Sequence, residues 1–450
     1  MPDNLAAITR SIPFRVFVLA FLSILLLIPL SNLRDLVGER RGLRAAAASS
    51  IATGWGGRQT LLGPILVLAL DCPWTDEKGR TGLAQQIATR LPAKLAVDGD
   101  LTTEVRRRGL HAVPVYRARL RTTFEFGPPS AALLAGQCAG ARLRAASVVL
   151  AVSDPRGIDR ISPLAMATSQ IAWLPGTPLS GPWQQGVQAP IPTALLAEGS
   201  APLALAAEID LRGSDRFALL PAGGETTVKL HGDWPSPSFD GAFLPASSAV
   251  GTGGFDAAWT VSELARPLPS IFNGDPPVEL QAAAFGLTWF QPADSYLMTE
   301  RSLKYGFLFV LLTFLTFFFF ESTGERRLQP LQYGLIGGAL CIFYLLLLSL
   351  SERAGFATAY LAAATATTLQ IALYARALLG HARRATVLGA ILTALYSGLF
   401  LLIGLEETAL LVGSVALFVL LTLAMWLTRG VGRGGLRPGA PAEEGTVPAG

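Results

Sequence analysis

Long uncharged runs of hydrophobic residues lie near both ends of the chain and leave an extended mixed segment between them. Six runs approach the ~20 residues that cross the hydrocarbon core of a bilayer. They are Val16 to Leu33, Tyr305 to Phe320, Leu331 to Ser351, Gly355 to Ala375, Ala385 to Leu405 and Thr408 to Thr428. This pattern predicts six transmembrane helices, one before the long segment and five after it.

The first two runs carry details that extend this prediction. Beyond Leu33, apolar residues keep a nearly helical spacing, so a juxtamembrane helix and turn are expected over residues 34–58, with the helix ending near Ile51 before a glycine cluster. The second run has only 16 residues between Lys304 and Glu321, so Lys304 is expected to snorkel to the interface. Since the ends of a compact domain usually lie close together, we expect these two helices to pack near Arg301.

The segment between Gln59 and Met298 has a different pattern, with short apolar or alternating runs separated by Gly/Pro-rich breaks. Such runs predict antiparallel β-strands packed as one sandwich or two smaller ones. The predicted strands are Leu61–Leu70, Lys94–Arg107, Val113–Phe126, Ser147–Val152, Ala204–Leu211, Thr226–His231, Phe255–Val261 and Ala282–Phe290. A β-rich domain is therefore expected over residues 59–300, followed by a five-helix transmembrane bundle over 301–428.

Composition agrees with a membrane protein. Hydrophobic residues make up 51% of the chain and charged residues only 15%, against roughly 25% charged in soluble domains. These values exclude an ordinary cytosolic enzyme and a disordered chain, which needs low hydrophobicity and high net charge. The formal net charge of +4 gives no electrostatic argument for nucleic-acid binding. The bilayer is the expected partner.

The arginines predict the orientation, since short cytoplasmic loops carry an excess of positive charge. With the N-terminus (residues 1–15) inside, the cytoplasmic segments hold ten arginines and the short outer loops hold only Arg353. The ten are Arg10, Arg15, Arg326, Arg327, Arg376, Arg383, Arg384, Arg429, Arg433 and Arg437. Both termini are therefore predicted in the cytoplasm, with a disordered Gly/Pro-rich tail over 429–450 and the β-rich domain outside. The first run is longer than a signal-peptide core and is expected to stay as an anchor.

Three cysteines are too few for a disulfide framework. Cys341 lies within a predicted span. Cys72 and Cys138 both lie in the predicted outer domain, where a disulfide is permitted, but the sequence does not give their separation in space. Their pairing stays open at this point.

Motifs for enzymatic chemistry are not found in the sequence. It contains no H-E-x-x-H, G-x-S-x-G, Walker loop or C-x-x-C. His111, His231 and His381 are far apart, with the last predicted across the membrane from the others, so no metal or cofactor site is predicted. A pair of carboxylates of the kind that glycosidases use has no support, because the sequence does not give the distances between its acidic residues. No catalytic residue is assigned.

The predicted spans carry no ionisable residue at depth, and such residues mark ion and proton pathways. Transport is therefore disfavoured. Within the third span, Gly334 and Gly338 have the spacing that permits close helix packing, and we expect a helix contact there. The Gly251–Gly254 cluster is interpreted as a turn and not as a phosphate loop.

Several sequence blocks together resemble the CreD family of bacterial inner-membrane proteins, which is associated with cell-envelope integrity. The membrane blocks are RSLKYGFLFVLLTFLTFFFFE (Arg301–Glu321) and LQPLQYGLIGGALCIFYLLLLSLSE (Leu328–Glu352), followed by GFATAY, LYSGLF and ALLVGSVALFVLLTLAMWLTR. The outer blocks are WGGRQTLLGP (Trp55–Pro64), RRRGLHAVPVY (Arg106–Tyr116) and GDWPSPSFDGAFLP (Gly232–Pro245). The resemblance covers nearly the whole chain except its tail. Two departures are Gln329, where the family often has His, and Arg353, where His was expected.

The resemblance implies an inner-membrane protein whose expression is tied to a two-component system and to envelope stress. It brings no catalytic residues. Motif residues whose role is unknown are Trp55, Gln59, Gly63, Pro64, Arg108, Gly109, Tyr116, Trp234, Pro235, Ser238, Phe239, Gly241, Phe243, Pro245, Lys304, Tyr305, Glu321, Gln332, Tyr333, Tyr344, Glu352 and Tyr360.

Three hypotheses follow. The first is a non-enzymatic protein of envelope integrity whose β domain binds an envelope glycan, lipid or protein. The second is a membrane-anchored periplasmic enzyme acting on an envelope glycan or lipid, which clustered carboxylates in a groove would support. The third is a transporter or lipid-handling subunit, which a polar cavity at mid-membrane depth would support. The family resemblance favours the first, and the sequence leaves the oligomeric state open.

Overall fold

The computed structural model describes residues 12–109, 111–127, 136–167, 169–197, 200–266, 269–289, 295–322, 328–405 and 408–428. The chain divides into two compact units, a β unit of Arg41–Pro292 and a helical unit formed by Met1–Arg40 with Ala293–Gly450. The predicted tail over 429–450 and the loop residues Arg326 and Arg327 lie outside the described residues. The predicted N-terminal segment lies mostly outside them too.

Helices occupy both ends of the chain, where the long apolar runs were found. In the described residues they are α1 Ile12–Leu25, α2 Leu27–Trp55, α3 Ser295–Lys304, α4 Gly306–Ser322, α5 Pro330–Ala354, α6 Phe356–Leu379, α7 Ala382–Gly404 and α8 Ala409–Thr428. Four helical segments of the described chain are long and apolar enough to cross a membrane, and a bent pair raises the number to five. Several apolar helices are thus confirmed, while the number six stays a prediction.

Two helix boundaries differ from their predictions. The first helix continues past Ile51 to Trp55 and ends at Gly56, whose φ of 124° favours glycine. The second predicted span, Tyr305 to Phe320, coincides with α4, which begins one residue after Tyr305. The helix α3 precedes it, and α3 and α4 meet at this residue with a bend of 49°. In the described residues after the β unit, helix is already present at Ser295, six residues before the predicted start of the bundle, whose limits in the membrane stay a prediction.

The predicted close contact at Gly334 and Gly338 is wrong, because an added Cβ at either position would meet no atom within 4 Å. The close contact lies at Gly337, where a Cβ would overlap the side chain of Leu26 and touch Phe314. A glycine of α5 does allow close packing, but it lies outside the predicted spacing and on a different face of the helix.

The β unit contains the strands that the alternating pattern predicted, and others besides. In the described residues the strands are β1 Gln59–Thr75, β2 Thr81–Arg90, β3 Lys94–Arg108, β4 His111–Phe126, β5 Arg142–Val152, β6 Ile158–Ile161, β7 Leu164–Ala165, β8 Gln170–Ile171, β9 Leu174–Pro175, β10 Gly186–Ile191, β11 Leu203–Ser214, β12 Arg216–Leu219, β13 Glu225–Gly232, β14 Pro237–Gly241, β15 Ser247–Gly251, β16 Gly254–Ser262, β17 Ile271–Asn273 and β18 Phe285–Trp289. Each predicted run contains a strand, although Phe290 lies outside the described residues.

The strands form two sheets of nine described strands each. The first sheet has the order β14-β18-β12-β1-β5-β10-β9, with β2 beside β1 and β17 beside β2; the second has β15-β16-β13-β3-β4-β11-β7-β8, with β6 beside β11. A purely antiparallel arrangement was wrong, because β1 pairs parallel with β12 and β3 pairs parallel with β13. Each parallel pair joins strands that are far apart in the chain, so no local turn signal marks it.

Both sheets contribute to one hydrophobic core. Strand β4 shows the cause, since its even-numbered residues Ala118, Leu120 and Phe124 are buried, whereas the odd-numbered Arg119, Arg121 and Thr123 are exposed. From the first sheet, Leu66 and Leu68 of β1 belong to the same cluster. Cys72 at the end of β1 forms a disulfide with Cys138, which settles the pairing that the sequence left open.

Candidate functional site

The block WGGRQ forms the junction between α2 and the first strand of the β unit. Gly57 donates its backbone N–H to Asp154 Oδ2 at 3.1 Å. The buried Gln59 donates from Nε2 to the carbonyl oxygens of Asp154 at 3.0 Å and of Arg212 at 3.2 Å. Arg156 forms charge-assisted bonds to the Asp154 carboxylate and holds its pKa below the usual value. These bonds fix the chain where it turns from helix to strand.

Tyr116 lies buried beneath this junction. Its hydroxyl donates to the carbonyl of Arg216 at 2.8 Å, and its ring stacks on Trp289 with a centroid distance of 4.1 Å. A side chain at Gly213 would overlap the Tyr116 ring. Burial raises the pKa of Tyr116 well above its usual value. The phenol therefore stays protonated at neutral pH, and its hydrogen bond and ring stack make it a packing and anchoring group.

Three guanidinium groups surround the half-exposed indole of Trp55. The Cζ atoms of Arg106, Arg117 and Arg212 lie 4.2, 4.8 and 5.2 Å from its ring centroid. Such cation–π contacts contribute about 0.5–1 kcal/mol each at exposed sites. We call Trp55 with these three arginines the Trp55 cluster. The sequence marked Trp55 only as a motif residue of unknown role, and the three arginines come to it from β3, β4 and β11.

Carboxylates neutralise the arginines of the Trp55 cluster. Glu104 accepts from Arg117 at 3.1 Å and from Arg106 at 2.9 Å, and these bonds, the Arg117 bond first, hold its pKa below the usual value. Asp159 pairs with Arg117 at 3.1 Å and with Arg212 at 3.5 Å. The cluster thus belongs to a connected network of positively and negatively charged side chains and is not an isolated patch of positive charge.

Further ion pairs lie along the outer face of the second sheet. Alternate residues of β4 place Arg117, Arg119 and Arg121 on that face. The last two arginines pair with acids on neighbouring strands: Arg119 with Asp210 of β11, and Arg121 with Asp98 and Asp100 of β3. We call this row the charged face.

Two grooves flank the charged face. One of 660 Å³ lies at the end of the strands and is lined by Ala96, Thr123, Met166 and Ala206, among others, which include three charged residues. The other, of 420 Å³, lies over β13, β15 and β16. There His231 Nδ1 lies 2.8 Å from Asp256 Oδ1. We call the first the small-residue groove.

The block around Trp234 and Pro235 contributes aromatic packing inside the β unit. Phe239 packs edge-on against Phe255 and Trp259, and Phe243 packs against Phe285. Gly241 has φ 107°, and a side chain there would overlap the carbonyl of Ala284. Ser238 lies in register with Thr288 of β18, and Pro245 ends the block half-exposed. This motif is therefore a packing element.

The remaining motif residues of the β unit occupy turns and strand irregularities. The Gly63–Pro64 bond is cis, at the point where the register of β1 and β5 shifts. Arg108 and Gly109 form the tip of the β3–β4 hairpin, where Arg108 donates to Ser50 of α2. None of these residues joins the Trp55 cluster directly.

In the helical unit, Glu321 has a buried and fully paired carboxylate. Arg15 Nη1 lies 2.8 Å from Glu321 Oε1, and the Tyr333 hydroxyl donates to Oε2 at 2.8 Å. The exposed fraction of the Glu321 side chain is 3%. This pair ties α1 to the end of α4 and the start of α5.

A second carboxylate cluster joins α2, α3 and α5. Tyr296 donates to Glu352 at 3.1 Å, and Arg40 lies 3.9 Å from the same carboxylate. Arg34 donates to the carbonyl of Leu303 at 3.1 Å. The predicted packing of the first helix against the residues before the second span is confirmed at this point.

The other motif residues of the helical unit serve packing and capping. Tyr344, Tyr360 and Tyr396 pack around Phe343. Gln332 accepts from the backbone of Gln329 and caps α5. Lys304 and Tyr305 lie at the bend between α3 and α4. No cluster of three potential metal ligands occurs in the part of the chain that the structure describes.

Comparison with known proteins adds the family. Residues 11–432 match the family model described as Inner membrane protein CreD. The chain is also 32% identical to the Inner membrane protein CreD of Escherichia coli strain K12 over 412 residues, which cover 91% of this chain and 90% of that protein.

Proposed function

The chain belongs to the CreD family of inner membrane proteins, and we propose that it supports cell-envelope integrity by holding a non-enzymatic β unit that binds an envelope component on the periplasmic side. The proposal includes six membrane spans, both termini in the cytoplasm and a sandwich of the two β-sheets. The arginine distribution supports this orientation.

The observation that carries the proposal is the outer face of the second sheet. The small-residue groove of 660 Å³ lies beside the charged face, and Lys94, Glu125 and Glu225 are the charged residues among those that line it. Small side chains such as Ala96 and Ala206 leave the strand backbone open to a ligand. A concave apolar surface with a few polar groups at its edge is typical of a binding site.

Binding fits this surface better than catalysis. The charged groups of the face are already paired with each other, so none of the pairs named above is set up as a general acid or base. The enzymatic alternative has the His231–Asp256 pair as its best-formed group. In the residues described, Ser247 and Ser248 line the same groove, but neither is hydrogen-bonded to His231.

A photo-crosslinking experiment tests the proposal. A photoreactive residue at the exposed Thr123, inside the small-residue groove, should capture an envelope glycan, lipid or protein in intact cells. The matched control is Gln85, which is equally exposed on β2 of the first sheet. Equal products from both positions, or none from Thr123, would contradict the proposal.

A complementation experiment links that contact to function. In cells that lack the chromosomal gene, the Ala206→Trp variant should fill the small-residue groove and fail to restore growth under detergent stress. Gln85→Trp should restore it. If both variants restore growth at equal protein levels, the groove has no part in envelope integrity.

A further inference from the structure

A long groove of 1030 Å³ runs between α6 and α7 in the helical unit. Along α6 its lining extends from Ala357 to Arg376, a distance of roughly 28 Å at 1.5 Å per residue. This length is close to the ~30 Å thickness of the hydrocarbon core. The groove therefore extends over nearly the whole apolar depth that these helices cross.

The floor and walls of the groove suit hydrocarbon. At the floor the two helices touch through small residues, since a Cβ at Gly389 would lie 3.5 Å from that of Ala372. The walls carry large apolar side chains that the rest of the protein leaves uncovered, with exposed fractions of 70% for Leu361, 59% for Leu373 and 67% for Leu401. Such walls are suited to contact with hydrocarbon.

One end of the groove is cationic. Arg376 is the one charged residue among those that line it, and no salt bridge joins it to a described carboxylate. Arg383 and Arg384 begin α7 at the same end, because only Gly380 and His381 separate the two helices. The segment from Ala375 to Ala385 contains no acidic residue. This end of the groove is therefore complementary to an anion.

We propose that the α6–α7 groove binds an anionic phospholipid. The phosphate lies at Arg376, near Arg383 and Arg384, and an acyl chain follows the floor past Ala372 and Gly389. Basic pockets between transmembrane helices bind lipid headgroups in this way. A helix from another protein would fill the apolar part but leave the three cations without a counter-charge. The lipid belongs to the inner leaflet, a detail that rests on the proposed orientation.

Native mass spectrometry of the full chain in detergent tests this site. The protein is titrated with phosphatidylglycerol and, separately, with phosphatidylcholine of the same acyl chains. Phosphatidylglycerol should bind at least about fivefold more tightly, since one basic contact contributes about 1 kcal/mol. Arg376→Ala should remove this preference and Arg376→Lys should keep most of it. Arg353→Ala, in the last turn of α5, should leave it unchanged.

A second variant separates the groove from a general surface charge. Ala372→Trp blocks the floor and keeps all three arginines, so it should weaken phosphatidylglycerol binding, whereas Leu345→Trp on the exposed face of α5 should not. Equal binding by Ala372→Trp and the unmodified chain would mean adsorption at the surface and overturn the proposal. A dimer that Ala372→Trp abolishes, without selective lipid binding, would also overturn it and assign the groove to a second copy.

Discussion

Two ion pairs with the same N–O distance show that the helical unit and the β unit place charged side chains in different surroundings. Arg15–Glu321 in the helical unit and Arg121–Asp98 in the β unit both have an N–O distance of 2.8 Å. The exposed fractions of the side chains are 22% and 3% in the first pair, against 50% and 57% in the second. Geometry alone therefore does not rank these interactions; solvent exposure does.

The difference follows from the surroundings of each unit. Strands place every second side chain in water, so the β unit can carry many charges that pair loosely across its surface. A membrane bundle can hold a carboxylate only where a partner reaches it, and Glu321 obtains both an arginine and a tyrosine. The charged face is suited to exchange its partners for a ligand, whereas the Glu321 pair is suited to hold helices together.

The largest predicted effect is at Glu321. Glu321→Ala leaves the Arg15 guanidinium and the Tyr333 hydroxyl without their partner, and breaking a buried pair costs about 3–5 kcal/mol. Unfolding of the purified protein in mixed detergent should show this decrease in the free energy of unfolding. Asp98→Ala is the matched control on the charged face. Equal losses from the two variants would remove the distinction between the units.

Loss of the disulfide should weaken the β unit specifically. Cys72 and Cys138 are 66 positions apart, and a crosslink of this kind contributes about 2–4 kcal/mol. The double variant with Ser at both positions should be cleaved faster by protease within residues 41–292. Cys341→Ala, which removes a cysteine of the helical unit, serves as the control. If the double variant is cleaved as slowly as the unmodified protein, the disulfide does not stabilise the β unit and the prediction is wrong.

Asp154 should produce a smaller and pH-dependent effect. Asp154→Asn removes charge-assisted bonds to Arg156 and weakens the acceptor of Gly57, at a cost of about 1–3 kcal/mol. Because the bond from Arg156 lowers the folded-state pKa of Asp154, the stabilisation is complete above the unfolded pKa of about 3.9 and is lost as pH falls through the lower folded value.

Unfolding measured from pH 7 downward tests that sign. The difference between the unmodified protein and Asp154→Asn should stay constant down to about pH 5 and shrink below about pH 4. A difference that grows as the pH falls would contradict the account of Asp154.

The smallest effect is predicted for the charged face itself. Arg121→Ala should change the free energy of unfolding by less than about 1 kcal/mol, because exposed pairs are weak and salt screens them further. The double-mutant cycle with Asp98→Ala measures the coupling. A coupling energy between Arg121 and Asp98 above about 2 kcal/mol would mean that the charged face is a structural network and not a surface available to a ligand.

The local pattern predicted the elements but not how distant elements pair. Runs of apolar residues located the long helices and the main strands, because burial dictates those residues directly. The strand β2 was missed because Gln85 and Gln86 interrupt its apolar pattern and face solvent. The parallel pairing of β3 with β13 joins residues such as Lys94 and Glu225. Because these residues are far apart in the chain, no local sequence pattern predicts their contact.

The candidate sites show the same limit. The family motif singled out Trp55 and Tyr116, but Arg106, Arg117 and Arg212 come to the indole from three different strands. Glu321 was recognisable as the end of a span. Its partner Arg15 is 306 positions away in the sequence, so only the folded arrangement of α1 and α4 reveals the pair.

The central claim, that the β unit works on the periplasmic side of the membrane, is tested most directly by labelling single cysteines in intact spheroplasts. In a Cys341→Ala background with the disulfide retained, Ser248→Cys on the exposed strand β15 should react with a membrane-impermeant maleimide. Arg383→Cys at the start of α7 should react only after lysis. Labelling of Arg383→Cys in intact spheroplasts, with Ser248→Cys protected until lysis, would place the β unit in the cytoplasm and contradict the account.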